Sequence, residues 1–192
     1  MLCCGRTDVG RRRKVNQDSF ICDTFDNGMM LCVVCDGMGG AAGGGIASGI
    51  ACGYFVDSFA DFADSFGKKA SLDRSDVRKI KAALADAVTD ANAAVYEKAL
   101  SDPSLAGMGT TLVATLAYCD TLFTVNVGDS RMYLIHGSDV KQISHDHSYV
   151  QYLVDMGKLT PDEAKRAPNR NIITRAVGTG SETGTEHRTA QN

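Results

Sequence analysis

Apolar positions alternate near the amino terminus in a pattern typical of paired strands. Residues 18–25 predict a first strand, and Asn27-Gly28 directly after them is a strong signal for a tight hairpin turn. Residues 30–35 (MLCVVC) are apolar at every position. An uninterrupted short apolar run is typical of a central strand covered on both faces, so we predict such a strand here.

The middle of the chain has the three- and four-residue spacing of helices. We predict one helix over about 46–66 and a second whose apolar stripe begins at Val77 and ends at Val95. Asp73 or Ser75 can cap the second helix, and Pro103 follows its end. Both apolar stripes are interpreted as faces that pack against a core.

Short strands return in the second half. Residues 111–117, 122–127 and 132–136 are separated by tight turns, which favours antiparallel pairing because parallel strands need long crossovers. Two short helices are expected within 147–166. Strands, then two long helices, then more strands predict an α+β fold with helices packed on antiparallel sheets. Residues 179–192 contain no apolar residue except Ala190, so we predict a loose polar tail there.

Composition narrows the class of protein. The 192 residues are enough for one domain, and the net charge of −3 argues against a nucleic-acid-binding protein with a broadly basic surface. The longest apolar run, 29–35, is too short to cross a membrane, and the first residues lack a signal-peptide pattern. We therefore expect a cytoplasmic protein. The seven cysteines lack the spacing of a zinc motif, so reduced thiols are expected, with Cys3-Cys4 regarded as incidental.

Three aspartates stand at predicted strand ends. Asp36 and Asp129 follow apolar strands, and Asp18 begins one. Carboxylates beside glycines suit a hard cation such as Mg²⁺ or Mn²⁺, although each could instead cap a turn. Arg13, five residues before Asp18, offers the forked donors that a phosphate group requires. The alternative is a solvated basic loop.

Seven glycines crowd into residues 37–49, which predicts backbone that bends sharply or approaches another group closely. No Gly-Lys-Ser/Thr follows, and no dinucleotide-binding pattern fits, so the segment is not interpreted as a nucleotide loop. The Gly37 carbonyl is instead expected to reach a metal ion. No Gly-x-Ser-x-Gly motif supports a nucleophilic serine.

Five blocks, taken together, resemble a known family: 7–20, 33–45, 107–116, 126–135 and 145–178. In this order they are similar to the bacterial branch of the metal-dependent protein phosphatases, the protein phosphatase 2C-like family. The resemblance implies a four-layer α-β-β-α sandwich of two antiparallel sheets flanked by helices. It also implies hydrolysis of phosphoserine and phosphothreonine by a metal-activated water, with signalling proteins as substrates.

The resemblance also implies roles for individual residues. Arg13 corresponds to the arginine that holds the substrate phosphate, and Asp18 to an acid that acts near the metals through bound water. Asp36 corresponds to the carboxylate bridging two Mn²⁺ or Mg²⁺ ions, with the Gly37 carbonyl as a further ligand. Asp129 corresponds to the acid of a third, weaker metal site.

Further expectations follow from the same resemblance. Residues 145–175 match a flap beside the active site that influences substrate choice. The implied partners are phosphorylated proteins and a bacterial serine/threonine kinase with its targets. We expect a monomer, with neither nucleic acid nor a membrane as partner.

Two departures from the family pattern qualify these expectations. Met38 and Ala41 stand where the family often has a histidine, which leaves the general acid unassigned. Two further metal-binding aspartates of the family have no counterpart before Asn192. We therefore expect a partial phosphatase domain over 1–178 with a disordered tail, weakly active or inactive alone. The alternatives are a non-catalytic module that binds phosphoproteins and, less well supported, a nucleotide-binding regulatory domain.

Overall fold

The fold is given by a computed structural model. It describes residues 2–181 and 186–191, excluding the side chains of 41, 42 and 186–191. The strands are β1 (Asp18–Thr24), β2 (Met30–Met38), β3 (Gly109–Thr110), β4 (Leu112–Tyr118), β5 (Thr121–Val127), β6 (Tyr133–His136), β7 (Asp139–Gln142) and β8 (Glu186–Gln191). The helices are α1 (Gly40–Ser65), α2 (Arg74–Ser101), α3 (Tyr149–Asp155) and α4 (Pro161–Ala164), with a 3-10 turn at Pro103–Leu105.

Six strands form the main sheet in the order β1-β2-β4-β5-β8, with β3 paired to β2. β6 and β7 form a separate hairpin. Every pair is antiparallel. The predicted α+β class with helices and two antiparallel sheets is therefore confirmed.

The core lies between one face of the main sheet and the two long helices. Alternate residues of β2 point into it, and the largest fully buried side chains include Phe55, Phe59, Leu31, Leu84, Leu116 and Phe123. Alternation on a half-buried strand follows from the two-residue repeat of side-chain direction. Together with α2, whose stripe from Ile80 to Val95 is buried as predicted, this layer fixes the sheet on which the candidate site stands.

The structure corrects the prediction for residues 30–35. Only one face of β2 is covered within the described residues: Leu31 and Val33 are fully buried, whereas Val34 is 46% exposed. The apolar run alone did not show this, because its six side chains point to two faces and the sequence does not say what lies on each.

Helix α1 begins at Gly40, earlier than the predicted start near residue 46. Gly39 has a φ of 118°, a conformation that L side chains rarely adopt, and it ends β2 at the point where the helix starts. Most of the glycine cluster is therefore the first turns of a helix. Glycine is a poor helix former, so propensity placed the boundary too late.

The prediction of a loose tail over 179–192 also differs from the structure. Glu186–Gln191 forms β8 and pairs with β5 over the register Thr121↔Gln191 to Asn126↔Glu186. Main-chain hydrogen bonds supply this pairing, and they require no apolar side chain. Residues 182–185 and 192 lie outside the described part of the chain.

No helix among the described residues is long and apolar enough to span a bilayer.

Candidate active site

The ends of β1 and β2 bring two carboxylates together. Asp18 is the first residue of β1, and the antiparallel register places it directly opposite Asp36 near the end of β2. Residues opposed in this way project from the same face of the sheet and lie within side-chain contact. Both aspartates remain solvent-exposed, so a ligand can reach them.

The electrostatics of this pair favour a cation. Partial withdrawal from solvent, followed by the negative charge of Asp18, raises the pKa of the Asp36 carboxyl, and Asp129 adds to the same effect. The Arg13 guanidinium acts in the opposite direction without cancelling the rise. Like charges held close disfavour the ionised form, and a bound cation would remove that repulsion.

Arg13 faces the same cavity as the two carboxylates. The cavity has a volume of about 410 Å³, and Arg13, Asp18 and Asp36 line it together. The Arg13 Nη1 atom donates to Oε1 of Gln17 at 3.1 Å, and Gln17 Nε2 donates to the Gly40 carbonyl at 2.5 Å. The guanidinium is thereby linked to the first turn of α1, with its remaining N–H groups free to bind an anion.

The structure gives Gly37 a packing role. A Cβ at Gly37 would overlap the backbone carbonyl of Gly44, so the end of β2 and the first turns of α1 touch main chain to main chain. The Gly37 N–H also donates to the Gln17 carbonyl at 3.0 Å. These contacts hold the strand end against the loop that contains Arg13. Metal binding by the Gly37 carbonyl stays a prediction.

Asp129 stands apart from the other predicted site residues. It lines a second cavity of about 680 Å³, beside the segment expected to form the flap. Burial raises the pKa of its carboxyl, and the charge of Asp146 adds to the rise. Asp129 nevertheless lies near enough to Asp36 to influence its ionisation.

Two hydroxyl groups connect these cavities. The Thr111 hydroxyl accepts the Asp36 N–H at 3.0 Å and contacts the Ser130 hydroxyl at 2.7 Å. The Thr111 N–H donates in turn to the Asp36 carbonyl at 3.0 Å. Thr111 therefore fixes the backbone that presents Asp36, and Ser130 ties that backbone to the loop with Asp129.

The predicted flap segment is anchored at its base. His147 Nδ1 accepts the Gly128 N–H at 3.1 Å, and the His147 N–H donates to the Gly128 carbonyl at 2.9 Å. Arg131 donates to both carboxylate oxygens of Asp146, whose side chain is 6% exposed. These contacts hold the segment beside Asp129 on the second cavity.

Sequence reasoning missed Gln17, Thr111 and Ser130. Each connects predicted site residues through hydrogen bonds, and none stands in a sequence motif that signals catalysis. Thr111 is 75 positions from Asp36, so the contact depends on the pairing of distant strands. Gln17 could have been predicted as part of the site from its position directly before Asp18.

The donor set suits a hard divalent cation at the Asp18–Asp36 pair, since both groups offer carboxylate oxygens. The three aspartates do not form one compact cage: among the side chains described, Asp18, Asp36 and Asp129 are not a set whose ligand atoms all lie within 4.8 Å of one another. The structure thus brings Arg13, Asp18, Asp36 and Gly37 together and places Asp129 at the neighbouring cavity.

Known proteins are similar to this chain in sequence and in fold. A family model for protein phosphatase 2C matches residues 7–180. A putative protein phosphatase 2C-type of Streptococcus pyogenes is 34% identical over 178 residues, which cover 92% of this chain and 67% of that protein. The serine/threonine protein phosphatase PstP of Mycobacterium tuberculosis is 37% identical over 92% of this chain and 31% of its own length.

A solved structure agrees with these matches. The serine/threonine phosphatase Stp1 from Staphylococcus aureus superposes with a TM-score of 0.82 at 32% identity, over 97% of this chain and 69% of that one. The chain thus spans about two thirds of two of these relatives and about a third of PstP. On the match over residues 7–180 and this shared fold, the chain belongs to the protein phosphatase 2C family.

Proposed function

We propose that this domain hydrolyses phosphoserine and phosphothreonine in proteins, using two divalent cations held at Asp18 and Asp36. The observation that supports this most directly is the shared cavity: Arg13, Asp18 and Asp36 line one space of about 410 Å³. A phosphate bound in this cavity would contact the Arg13 guanidinium and the cations held by Asp18 and Asp36.

Arg13 binds the phosphoryl group in this proposal. A guanidinium presents parallel N–H donors that match two phosphate oxygens, and its charge offsets the charge of the group in transfer. The hydrogen bond from Arg13 to Gln17 restricts the side chain before substrate arrives. That restriction reduces the entropy lost on binding.

Asp18 and Asp36, with the Gly37 carbonyl, hold Mn²⁺ or Mg²⁺, both of which accept oxygen ligands. The bound cations supply Lewis acidity that lowers the pKa of water for attack on phosphorus. Thr111 keeps the Asp36 backbone in place by accepting the Asp36 N–H. We assign two ions to this pair of carboxylates and a third, weaker one to Asp129.

The cavity lining favours direct attack by water over a phosphoenzyme formed on serine, threonine, cysteine or histidine. The described residues around Arg13, Asp18 and Asp36 include no serine, threonine, cysteine or histidine on that 410 Å³ cavity. No hydroxyl, thiol or imidazole is therefore placed to accept the phosphoryl group there.

The test measures release of phosphate from a phosphothreonine peptide by the 192-residue chain with Mn²⁺. We expect Arg13→Ala to lower kcat/KM about 100-fold, because the substitution removes the charged hydrogen-bond donor that binds the phosphoryl group during transfer. Arg78→Ala, at an exposed position of α2 away from this cavity, is the control and should leave kcat/KM nearly unchanged. Equal losses in both variants would contradict the role of Arg13.

A second function has one observation in its favour. Asp129 lies on another cavity, so the described residues bring only two of the three predicted metal-binding aspartates to the cavity of Arg13. A non-catalytic module that binds phosphoproteins would need the arginine and no tight metal site. Calorimetry separates the two: the module binds phosphopeptide without Mn²⁺ and shows no turnover, whereas the phosphatase binds Mn²⁺ and releases phosphate.

Because few of the predicted metal-binding aspartates line the cavity of Arg13, we also propose that these 192 residues hydrolyse phosphopeptide more slowly than longer relatives do. The comparison of kcat/KM with Stp1 under identical Mn²⁺ concentrations tests this proposal.

We further propose, from the family relationship, that the protein is a cytoplasmic monomer that acts in signalling and opposes a serine/threonine kinase. Sedimentation of the purified chain checks the monomer.

A further inference from the structure

Three cysteines from separate parts of the chain converge outside the candidate active site. Cys3 belongs to the amino-terminal segment, Cys22 to β1 and Cys32 to β2. Their sulfur atoms all lie within 4.8 Å of one another. Cys3 is joined to Cys22 as a disulfide, and its sulfur lies 3.1 Å from that of Cys32. We call these three residues the sulfur cluster.

The sheet places two members of the cluster. Cys22 and Cys32 are register partners across β1 and β2, so their side chains project from the same face. This face is the one opposite the core. Cys22 lies four residues along β1 from Asp18, or about 13 Å, so the cluster and the carboxylate pair occupy separate positions on the same face. Asp18 also lines the cavity beside the cluster.

Contacts apart from the disulfide hold the third member above the sheet. A Cβ at Gly5 would overlap the ring of Phe20, so the amino-terminal segment lies directly on that ring. Asn16 Nδ2 also donates to the Thr7 hydroxyl at 2.8 Å. Since Phe20 and Cys22 are two residues apart on a strand, they share a face, and the segment brings Cys3 over Cys22.

The space around the cluster can admit an ion. A cavity of about 320 Å³ is lined by the three cluster residues and by Cys4. Thiolates select soft cations, in contrast to the oxygen donors that suit Mn²⁺ and Mg²⁺. Sulfur atoms on a tetrahedral zinc ion lie about 3.8 Å apart, given the usual Zn–S bond length. The three sulfur atoms, all within 4.8 Å of one another, reach that spacing after reduction of the disulfide and a small adjustment of side chains.

We propose that the reduced sulfur cluster is a binding site for one thiophilic divalent cation of the zinc class. A dithiol reductant donates two electrons and two protons to the Cys3–Cys22 disulfide and is itself oxidised to a cyclic disulfide. The three thiols then lose three protons as their sulfurs form bonds to the cation. A tetrahedral ion held by three sulfurs would have one further coordination position, and Cys4 also lines this cavity.

Cobalt binding by the full chain tests the site, because sulfur bound to Co²⁺ gives a charge-transfer absorption that carboxylate ligands do not. The chain is reduced with a dithiol, freed of reductant without oxygen and titrated with Co²⁺, then with Zn²⁺. We expect one equivalent of Co²⁺ per chain with this absorption, and its loss when Zn²⁺ displaces the cobalt.

Serine substitutions assign the ligands. Cys22→Ser and Cys32→Ser should each weaken Co²⁺ binding at least tenfold, while Cys119→Ser, a cysteine outside the cluster, should leave it unchanged. Circular dichroism verifies that each variant is folded. Cys22 is exposed, so its substitution should disturb folding little. If Cys32→Ser does not fold, Co²⁺ binding by Cys22→Ser alone tests whether the cluster is the site.

Several results would overturn the site. They are a disulfide that resists dithiol reduction, a reduced chain without sulfur-to-cobalt absorption, and absorption that survives Cys22→Ser or disappears equally in Cys119→Ser. Phosphatase activity is not a readout here, so a failed activity assay leaves this result intact.

Discussion

Two acidic regions of the molecule show how the neighbours of a carboxylate either outweigh or reinforce the effect of burial on its pKa. At the start of α2, the Asp76 side chain is only 3% exposed, yet hydrogen bonds from Lys69 hold its pKa below the ordinary value. At the ends of β1 and β2, partial withdrawal from solvent and then the charge of Asp18 raise the pKa of Asp36 above the ordinary value.

The partners explain the difference. Lys69 Nζ lies 2.8 and 2.9 Å from the two oxygens of Asp76, and the Asp73 N–H donates to the same carboxylate at 3.2 Å. Asp36 instead faces Asp18. The α2 region satisfies its charge within the chain, whereas the strand-end region leaves negative charge for a ligand to neutralise. A region of the first kind serves stability, and one of the second kind serves binding.

The largest expected effect is on activity at the strand-end region. Asp36→Asn should lower Mn²⁺-dependent kcat/KM at least about 100-fold, because it removes the negative charge of a proposed ligand of the cation. Phosphate release from a phosphothreonine peptide measures it, with Asp76→Asn as a control at the other region. Activity retained in Asp36→Asn would show that the strand ends do not hold the cation.

The next effect is on the backbone that presents the site. Gly37→Ala should lower the free energy of unfolding by about 2 kcal/mol, since its Cβ would meet the Gly44 carbonyl. Urea denaturation measures the loss. Gly53→Ala, at a helix position with open space, is the control and should not destabilise. Equal stability of both variants would contradict the close approach.

A smaller loss is expected at the α2 region. Asp73 caps α2 by accepting the N–H groups of Ser75 and Asp76 at 2.7 and 2.8 Å. Asp73→Ala should lower the free energy of unfolding by about 1 kcal/mol with activity unchanged. Asp73→Asn should restore most of the loss, because asparagine caps helices nearly as well. An unchanged urea midpoint in Asp73→Ala would contradict the cap.

The smallest effect has the opposite sign. Without cation, Asp18→Asn should raise the free energy of unfolding by about 0.5 kcal/mol at pH 7, because like charges directly opposite on a sheet repel. The folded state raises the pKa of Asp36, so it holds its proton more tightly than the unfolded state does. The destabilising contribution is therefore absent below the ordinary aspartate pKa of about 3.9 and appears as the pH rises above it.

Urea denaturation at pH 7 and pH 3.5 tests this sign. The gain in Asp18→Asn should be present at pH 7 and should disappear at pH 3.5. Asp23→Asn, at an exposed position of the same strand opposite Leu31, is the control without an opposed carboxylate. Destabilisation by Asp18→Asn at pH 7 would mean that the strand-end pair is satisfied within the chain, as Asp76 is.

Much of the local structure was predictable because it depends on neighbours in sequence. The stripe of α2, its Asp73 cap and the antiparallel strands of the second half repeat at fixed short spacings. The boundary of α1 was not predictable from propensity, since the early start depends on Gly37 and Gly44 meeting main chain to main chain. The pairing of β8 also lacked an apolar signal, because main-chain hydrogen bonds form it.

The sequence by itself determined the α+β class, the family and the residue types at the candidate site, because motifs and periodicity record short-range constraints. Only the tertiary structure decided that Asp18 faces Asp36, that Asp129 lines another cavity and that Cys3, Cys22 and Cys32 converge. The physical reason is strand register. Pairing one strand with another sets contacts between residues far apart in the chain, and no local pattern encodes which side chains then meet.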